Sequence, residues 1–177
     1  MEHIARWLPR WLLAPLRRRQ TARVIAAAAS EDWEAVLSML YGYRRQRALD
    51  PLELGYLGAA YLRLDRFEDI VAEFTALDSR TPREIVSIEA LRPYLAAALL
   101  CLERNHEALE QLEVMRGPDV SPAHEALRHW NHAVALYRVG RMSEARDLLM
   151  KQLDGDWPRP EFDHALDLLR SLGVEAH

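Results

Sequence analysis

Histidine and acidic side chains cluster between residues 124 and 132, and their types come closest to a metal site. The order His124, Glu125, His129 follows a zinc-binding motif in which two histidines on one helix face flank a glutamate. That motif needs histidines four residues apart, whereas these are five apart and so lie about 140° apart around a helix. His129 and His132 share a face, but the segment supplies no third ligand. We therefore expect no metal ion, and interpret these histidines as helix-surface or inter-helix residues.

Nucleophilic and phosphate-binding patterns are equally weak. The serines lack a nucleophile elbow, and the seven glycines form no phosphate loop. Cys101 lies in an apolar run with no basic neighbour in phase, which predicts a small buried hydrophobic residue rather than a reactive thiol. We predict no catalytic residue and no cofactor, so the chain is not expected to be an enzyme.

The elements that must carry any site are helical. Ala, Leu, Glu and Arg dominate the 177 residues, β-branched runs are absent, and the length fits one domain or a short array of repeats. The sequence contains no run of 18 apolar residues, so no membrane-spanning helix is expected. The single cysteine is compatible with a reducing compartment.

Charge is distributed unevenly along the chain. Residues 1–24 carry six arginines and one glutamate, a net charge of +5, which leaves −9 for the remainder of a chain whose total is −4. An acidic body does not favour nucleic acid as a partner.

Three segments repeat one pattern of small and large apolar residues. Each has a first helix built around Leu57-Gly58, Leu95-Ala96 or His132-Ala133, followed by a turn and a second helix. The equivalent positions Ile70, Ala108 and Ala145 are separated by 38 and 37 residues. Small residues in the first helix allow the two helices of one unit to cross closely, and the larger residues fill the space between units.

This pattern resembles the tetratricopeptide repeat, and residues 51–84 match it best through Leu57, Gly58, Tyr61, Phe74 and Pro82. The resemblance implies an all-α fold: a short right-handed α-solenoid of about three to four helix pairs. The predicted parts are an N-terminal arm at 1–18, repeats at 19–50, 51–84, 85–121 and 122–157, and a capping helix at 160–172.

Proline, glycine and capping residues predict where the helices begin and end. Asp50-Pro51, Thr81-Pro82 and Ser121-Pro122 each set a capping side chain before a proline at the first helical position. Asp65 and Gly140 are predicted in tight turns between paired helices. Pro93 interrupts a helical pattern and predicts a kink or a break near Leu91.

The resemblance also implies a binding surface, because in this family the first helices of the units form the concave face. We call the predicted partner-binding residues the first-helix face: Leu62, Arg63, Leu100, Trp130, Val134, Tyr137 and Arg138. Gly55 and Ala59 occupy positions where some members carry a Lys and Asn clamp for chaperone tails, so that mode is not expected. An apolar groove would take a hydrophobic peptide or an amphipathic helix. The alternative is that these residues pack against neighbouring helices.

The N-terminal arm combines tryptophan with arginine. Its candidate contact residues are Trp7, Arg10, Trp11, Arg17, Arg18 and Arg19. Pro9 and Pro15 predict two short helices or an irregular arm rather than one long helix. Three interpretations stay open: an arm that binds an anionic membrane surface or a partner, an arm that covers its own array, and a targeting segment.

These observations predict a cytoplasmic, non-catalytic interaction scaffold or adaptor that binds a peptide or helix of a partner protein. The alternative is a membrane-associated assembly or trafficking factor anchored by its arm. A third hypothesis is binding of a small or lipid-like ligand in the apolar concavity.

Overall fold

The computed structural model describes residues 10–76, 82–115, 122–152 and Asp167. Within them the chain is all-helical, with eight helices and no strand. The helices are α1 Arg10–Ala29, α2 Trp33–Arg44, α3 Pro51–Arg63, α4 Phe67–Thr75, α5 Pro82–Cys101, α6 Asn105–Glu113, α7 Pro122–Arg138 and α8 Met142–Gln152. The predicted capping helix at 160–172 lies outside the described residues, apart from Asp167.

The chain divides into two compact units, Met1–Leu49 and Asp50–His177. In the first unit, α1 packs against α2 over a core that includes Val24, Val36 and Leu40. Asp32 caps α2 by accepting a hydrogen bond from the Ala35 amide at 3.1 Å.

Pro15 lies inside α1, which corrects the expectation of two short helices or an irregular arm for residues 10–18. Because Pro15 stands near the start of a 20-residue helix, it removes one backbone hydrogen bond close to the N-terminus and leaves the rest of the ladder intact. α1 therefore joins the second half of the predicted arm to the first helix of the predicted repeat.

In the second unit, six helices pack as consecutive pairs. α5 lies at the centre and contacts α3, α4, α6 and α7, and α7 also packs against α6 and α8. The fully buried side chains here include Leu57, Ile70, Leu91 and Leu149, so the core runs through all three pairs. The predicted helix starts at Pro51, Pro82 and Pro122 are confirmed, while Thr81 and Ser121 lie outside the described residues.

The start of α3 carries a complete capping box. The Asp50 carboxylate accepts from the Glu53 amide at 2.9 Å, and the Glu53 carboxylate accepts from the Asp50 amide at 3.0 Å. Two donors that the helix leaves without partners are thereby satisfied. Glu53 is fully buried, and this reciprocal pair places its carboxylate.

α5 continues as one helix through Pro93, so the predicted break near Leu91 is wrong. A proline inside a helix costs about 3 kcal/mol. Packing on four neighbouring helices offsets that cost, since Pro93 is fully buried and its carbonyl accepts a hydrogen bond from Asn131 of α7 at 2.9 Å.

All four helix pairs share one turn. Three residues separate the helices each time, and the middle one is left-handed, with φ of 58° at Glu31, 53° at Asp65, 60° at Glu103 and 83° at Gly140. These residues are spaced by 34, 38 and 37. The prediction of tight turns at Asp65 and Gly140 is confirmed, and the structure adds Glu31 and Glu103.

The turns are Schellman motifs. In the second pair the Arg66 amide donates to the Tyr61 carbonyl at 2.9 Å and the Asp65 amide to the Leu62 carbonyl at 3.3 Å, and the other three turns repeat both bonds. The backbone thus ends every first helix in the same way, whichever side chain occupies the left-handed position.

Gly58 lies where α3 approaches α5 closely. A Cβ placed there would lie 2.5, 2.8 and 2.9 Å from Cγ, Cδ2 and Cβ of Tyr94. The three nearest atoms therefore belong to α5; the expectation that this small residue serves the crossing of α3 and α4 within one unit stays a prediction. Gly58 makes room for the ring of Tyr94 on α5, the first helix of the next pair. Burial raises the pKa of Tyr94 to about 12, and Tyr56 adds to the shift.

α7 is attached to α5 by three side chains at heptad spacing. His124 Nε2 lies 3.1 Å from the carbonyl of Ala90, and Arg138 Nη1 donates to the carbonyl of Leu100 at 2.6 Å. Asn131, midway between them, bonds the carbonyl of Pro93 as described above. Residues seven apart lie on nearly the same helix face, so one face of α7 donates to carbonyls between Ala90 and Leu100 of α5.

Candidate functional site

A groove of about 660 Å³ opens between α4 and α6, with α5 as its floor. We call it the α4–α6 groove. Its apolar lining is Val71, Phe74, Ile88, Leu95 and Leu99, and its polar lining is Thr75, Glu89, Arg92, Arg104, Glu107 and Gln111. Clefts with apolar walls and a few placed polar groups are typical binding sites.

Arg92 braces the three helices that form the groove. Its Nε and Nη2 donate to Glu89 Oε1 at 3.2 and 3.0 Å, and its Nη1 donates to Gln111 Oε1 of α6 at 2.7 Å. Its guanidinium also lies 5.5 Å from the ring centre of Phe74 on α4. The ion pair is largely buried, with side-chain exposures of 13% and 21%. One side chain of α5 therefore links both walls of the groove to its floor.

A second ion pair lies at the N-terminal start of α6. Arg104, the residue before the helix, makes two bonds to the Glu107 carboxylate, at 2.7 and 2.6 Å. At the other turns of the second unit, Arg141 makes two bonds to the Glu144 carboxylate, and Arg66 donates from Nε to Asp69. An arginine therefore occupies this position in each pair of the second unit, and in the middle pair that position borders the groove.

The lining residues follow helical stripes. On α4, Val71 and Thr75 are one turn apart; along α6, Glu107 and Gln111 are also one turn apart, and Arg104 immediately precedes the helix. The groove thus follows α6 for about two turns, roughly 10 Å.

The predicted first-helix face lies elsewhere, on α3, α5 and α7. Arg63 and Arg138 are exposed, while Leu62, Trp130, Val134 and Tyr137 are half-buried. Leu100 is only 5% exposed and offers little area to a partner. The structure brings Leu100 and Arg138 together, since the Arg138 guanidinium bonds the Leu100 carbonyl. The assignment of this face to a partner stays a prediction.

Cys101 is exposed at the end of α5, which corrects the expectation of a buried hydrophobic residue. Partial burial raises the pKa of its thiol; Arg138 opposes the shift, and Asp65 adds to it. A basic neighbour is therefore present, from α7 rather than from its own helix. The apolar run around Cys101 fails as a guide because the residue is the last of its helix and faces solvent.

The three histidines of α7 have separate surroundings. His124 is buried; because a carbonyl can only accept, Nε2 carries the hydrogen in its bond to Ala90. Its ring centre lies 6.0 Å from that of Tyr94. His129 Nε2 lies 3.7 Å from Glu125 Oε1. Among the residues that the structure describes, no three His, Cys, Asp or Glu side chains are grouped to hold a metal ion.

His132 has a lowered pKa. Burial is the main cause, and Arg128 and Arg141 lower it further, whereas Glu113 and Glu144 oppose the shift. The neutral imidazole is therefore the form that the fold favours.

The arm residues are only partly described. Trp7 and the side chains of Arg10 and Trp11 lie outside the described part, while Arg17, Arg18 and Arg19 are exposed on α1. Within the described ranges, no helix combines the length and apolar character needed to cross a bilayer.

Sequence reasoning missed the α4–α6 groove. A signal was available in Glu107 and Gln111, whose spacing puts two polar side chains on one face of α6, and in Arg104, which immediately precedes that helix. Their convergence with Arg92 and Phe74 depends on how α4, α5 and α6 pack, which the local pattern does not contain.

Comparisons of this chain with protein-family models, with curated proteins and with solved structures find no match.

Proposed function

We propose that this chain is a cytoplasmic, non-catalytic interaction module that docks a peptide or helix of a partner protein. We further propose that the helix pairs of the second unit are repeats of the tetratricopeptide type, stacked as a short right-handed solenoid. The single cysteine, compatible with a reducing compartment, supports the location.

Three observations support the repeat proposal. The turn geometry is the same in all four pairs, with spacings of 34, 38 and 37 residues. An arginine before the second helix pairs with an acid three residues later in all three pairs of the second unit. In that unit each first helix contacts its own second helix, and α3, α5 and α7 also pack in succession.

The observation that carries the docking proposal is the α4–α6 groove. It is open to solvent, its walls include the half-buried Val71 and Phe74, and Arg92 holds its helices in place. A preformed groove binds without the cost of ordering its own walls, which favours recognition of a segment from another protein.

The test is affinity capture from cells of the source organism, with mass spectrometry, using a matched pair of α4 variants. Thr75→Trp places an indole in the groove from an exposed position, whereas Ala72→Trp adds the same ring to an exposed position outside the lining. We expect a partner that wild type and Ala72→Trp retain and Thr75→Trp loses.

Two results would contradict the proposal. If no protein is retained reproducibly, the docking function is wrong. If Thr75→Trp retains the partner while Tyr137→Ala or Trp130→Ala loses it, the site lies on the first-helix face instead.

The exposed arginines of α1 favour a second candidate function, attachment to an anionic membrane. Arg17, Arg18 and Arg19 are consecutive on α1 and all three are exposed, so their guanidinium groups are accessible to lipid phosphates. Vesicles containing phosphatidylserine should sediment the wild-type protein and release Arg18→Glu/Arg19→Glu. A control with the same charge change, Arg45→Glu/Arg146→Glu, should still sediment; if all three proteins stay in the supernatant, this candidate is wrong.

A further inference from the structure

The two helices that form the walls of the α4–α6 groove are rich in acidic residues, although only Glu107 among these residues lines the groove itself. α4 carries three acidic residues and α6 carries three, and neither helix contains an arginine or a lysine; α6 has one histidine, His106, in its first turn. The basic side chains at the groove are already engaged, Arg92 with Glu89 and Arg104 with Glu107.

From this we infer that the α4–α6 groove takes a basic amphipathic helix of a partner protein. The inference rests on the proposed docking function and specifies its ligand. The apolar face of that helix would lie on the groove lining, and its lysines or arginines would face the acidic residues of α4 and α6.

Of the six acidic residues on α4 and α6, Glu68 and Glu110 form no ion pair with the described residues. Glu68 is exposed on α4 and stands at i, i+3 and i+7 with Val71 and Thr75, which line the groove. Glu110 is exposed on α6, one turn beyond Glu107. A partner with basic side chains on both flanks would place one near each wall.

The dimensions fit a helix with a short apolar face. A groove of about two turns accommodates apolar side chains at positions i, i+3, i+4 and i+7 of a partner helix. The floor is formed by Leu95 and Leu99, which are 4% and 3% exposed, while Val71 and Phe74 give more accessible area on the wall. Burial of apolar surface would supply most of the affinity, and the acidic residues of α4 and α6 would favour a positively charged partner over a negatively charged one.

The test uses the purified full chain and two fluorescent peptides of about 18 residues, long enough to form a helix on binding. The first has leucines at i, i+3, i+4 and i+7 with lysine elsewhere; the second replaces each lysine with glutamate. Fluorescence anisotropy should show that the lysine peptide binds more tightly, with a Kd that rises with salt.

Charge-reversal variants locate the effect. Glu68→Lys/Glu110→Lys should weaken the lysine peptide about tenfold, because two favourable contacts become repulsive. Glu34→Lys/Asp147→Lys makes the same change in net charge at exposed positions on α2 and α8, and should leave the Kd nearly unchanged.

The outcomes separate this inference from the proposed function. Equal affinity for the two peptides, or equal weakening by the two charge-reversal pairs, overturns the basic helix as ligand but leaves groove docking standing. If Thr75→Trp does not weaken binding of the lysine peptide, the groove is not the site where that peptide binds, whatever the capture experiment shows. Preference for the lysine peptide, lost in Thr75→Trp and in Glu68→Lys/Glu110→Lys only, supports the inference.

Discussion

Gly58→Ala is a direct test of how closely α3 approaches α5. The added Cβ would meet three atoms of Tyr94 at 2.5, 2.8 and 2.9 Å. Carbon atoms normally stay about 3.5 Å apart or more. The contacted atoms are the Tyr94 Cβ and the base of its ring, so they can move away only if α5 itself shifts.

The magnitude follows from two opposing effects. Overpacking of a buried contact costs about 1–3 kcal/mol, and three close contacts place this site near the upper end of that range. Replacing glycine by alanine inside a helix stabilises it by about 1 kcal/mol. We therefore expect Gly58→Ala to lower the free energy of unfolding by about 2 kcal/mol.

The assay is urea unfolding followed by far-UV circular dichroism, with Gly42→Ala as the control. Gly42 is also inside a helix, α2, but a Cβ there has no neighbouring atom within 4 Å. The control keeps the helix-propensity gain without the overlap, so it should stabilise by about 1 kcal/mol.

A Gly58→Ala variant as stable as the control would refute the close approach of the two helices. A double-mutant cycle sharpens the test. Tyr94→Ala removes two of the three overlapping atoms, so Gly58→Ala should cost less in that background than in wild type.

Three further changes test other parts of the fold. The pKa of His132 is lowered from 6.5 in the folded protein, so just below pH 6.5 the unfolded chain binds more protons than the folded chain. The free energy of unfolding should therefore decrease as the pH falls. His132→Gln should make that decrease smaller, as measured by urea unfolding at pH 7.5 and 5.5. Gly140→Ala should lower the unfolding free energy by about 1 kcal/mol because φ is 83°, whereas Glu103→Gly should raise it by a similar amount because φ there is 60°, as measured by urea unfolding. Asp50→Ala should cost about 1 kcal/mol by removing the acceptor for the Glu53 amide, and Asp50→Asn should cost less in the same assay.

Helix type and several boundaries could be predicted because local chemistry determines them. Pro51, Pro82 and Pro122 mark helix starts, since a proline at the first helical position loses no hydrogen bond. Gly140 marks a turn because glycine tolerates positive φ. The left-handed residue of an equivalent turn is a glutamate at position 103, which carries no such signal.

The effect of prolines inside helices was predicted wrongly, because local chemistry alone does not determine it. Pro15 and Pro93 are unfavourable by local criteria, and the helices continue because contacts distant in sequence offset the cost at Pro93 and because Pro15 lies near a helix start. The groove escaped prediction similarly, since Phe74, Arg92 and Gln111 come together only through packing.

The heptad stripe of α7 on α5 has a mechanical consequence. His124, Asn131 and Arg138 each bond a fixed carbonyl of α5, so sliding α7 by one helical turn, about 5.4 Å, would break all three bonds at once. Shear between these helices is therefore resisted, and α5 and α7 should move as one rigid body. Any widening that admits a ligand then falls to α4 and α6, with the floor of the groove anchored in place.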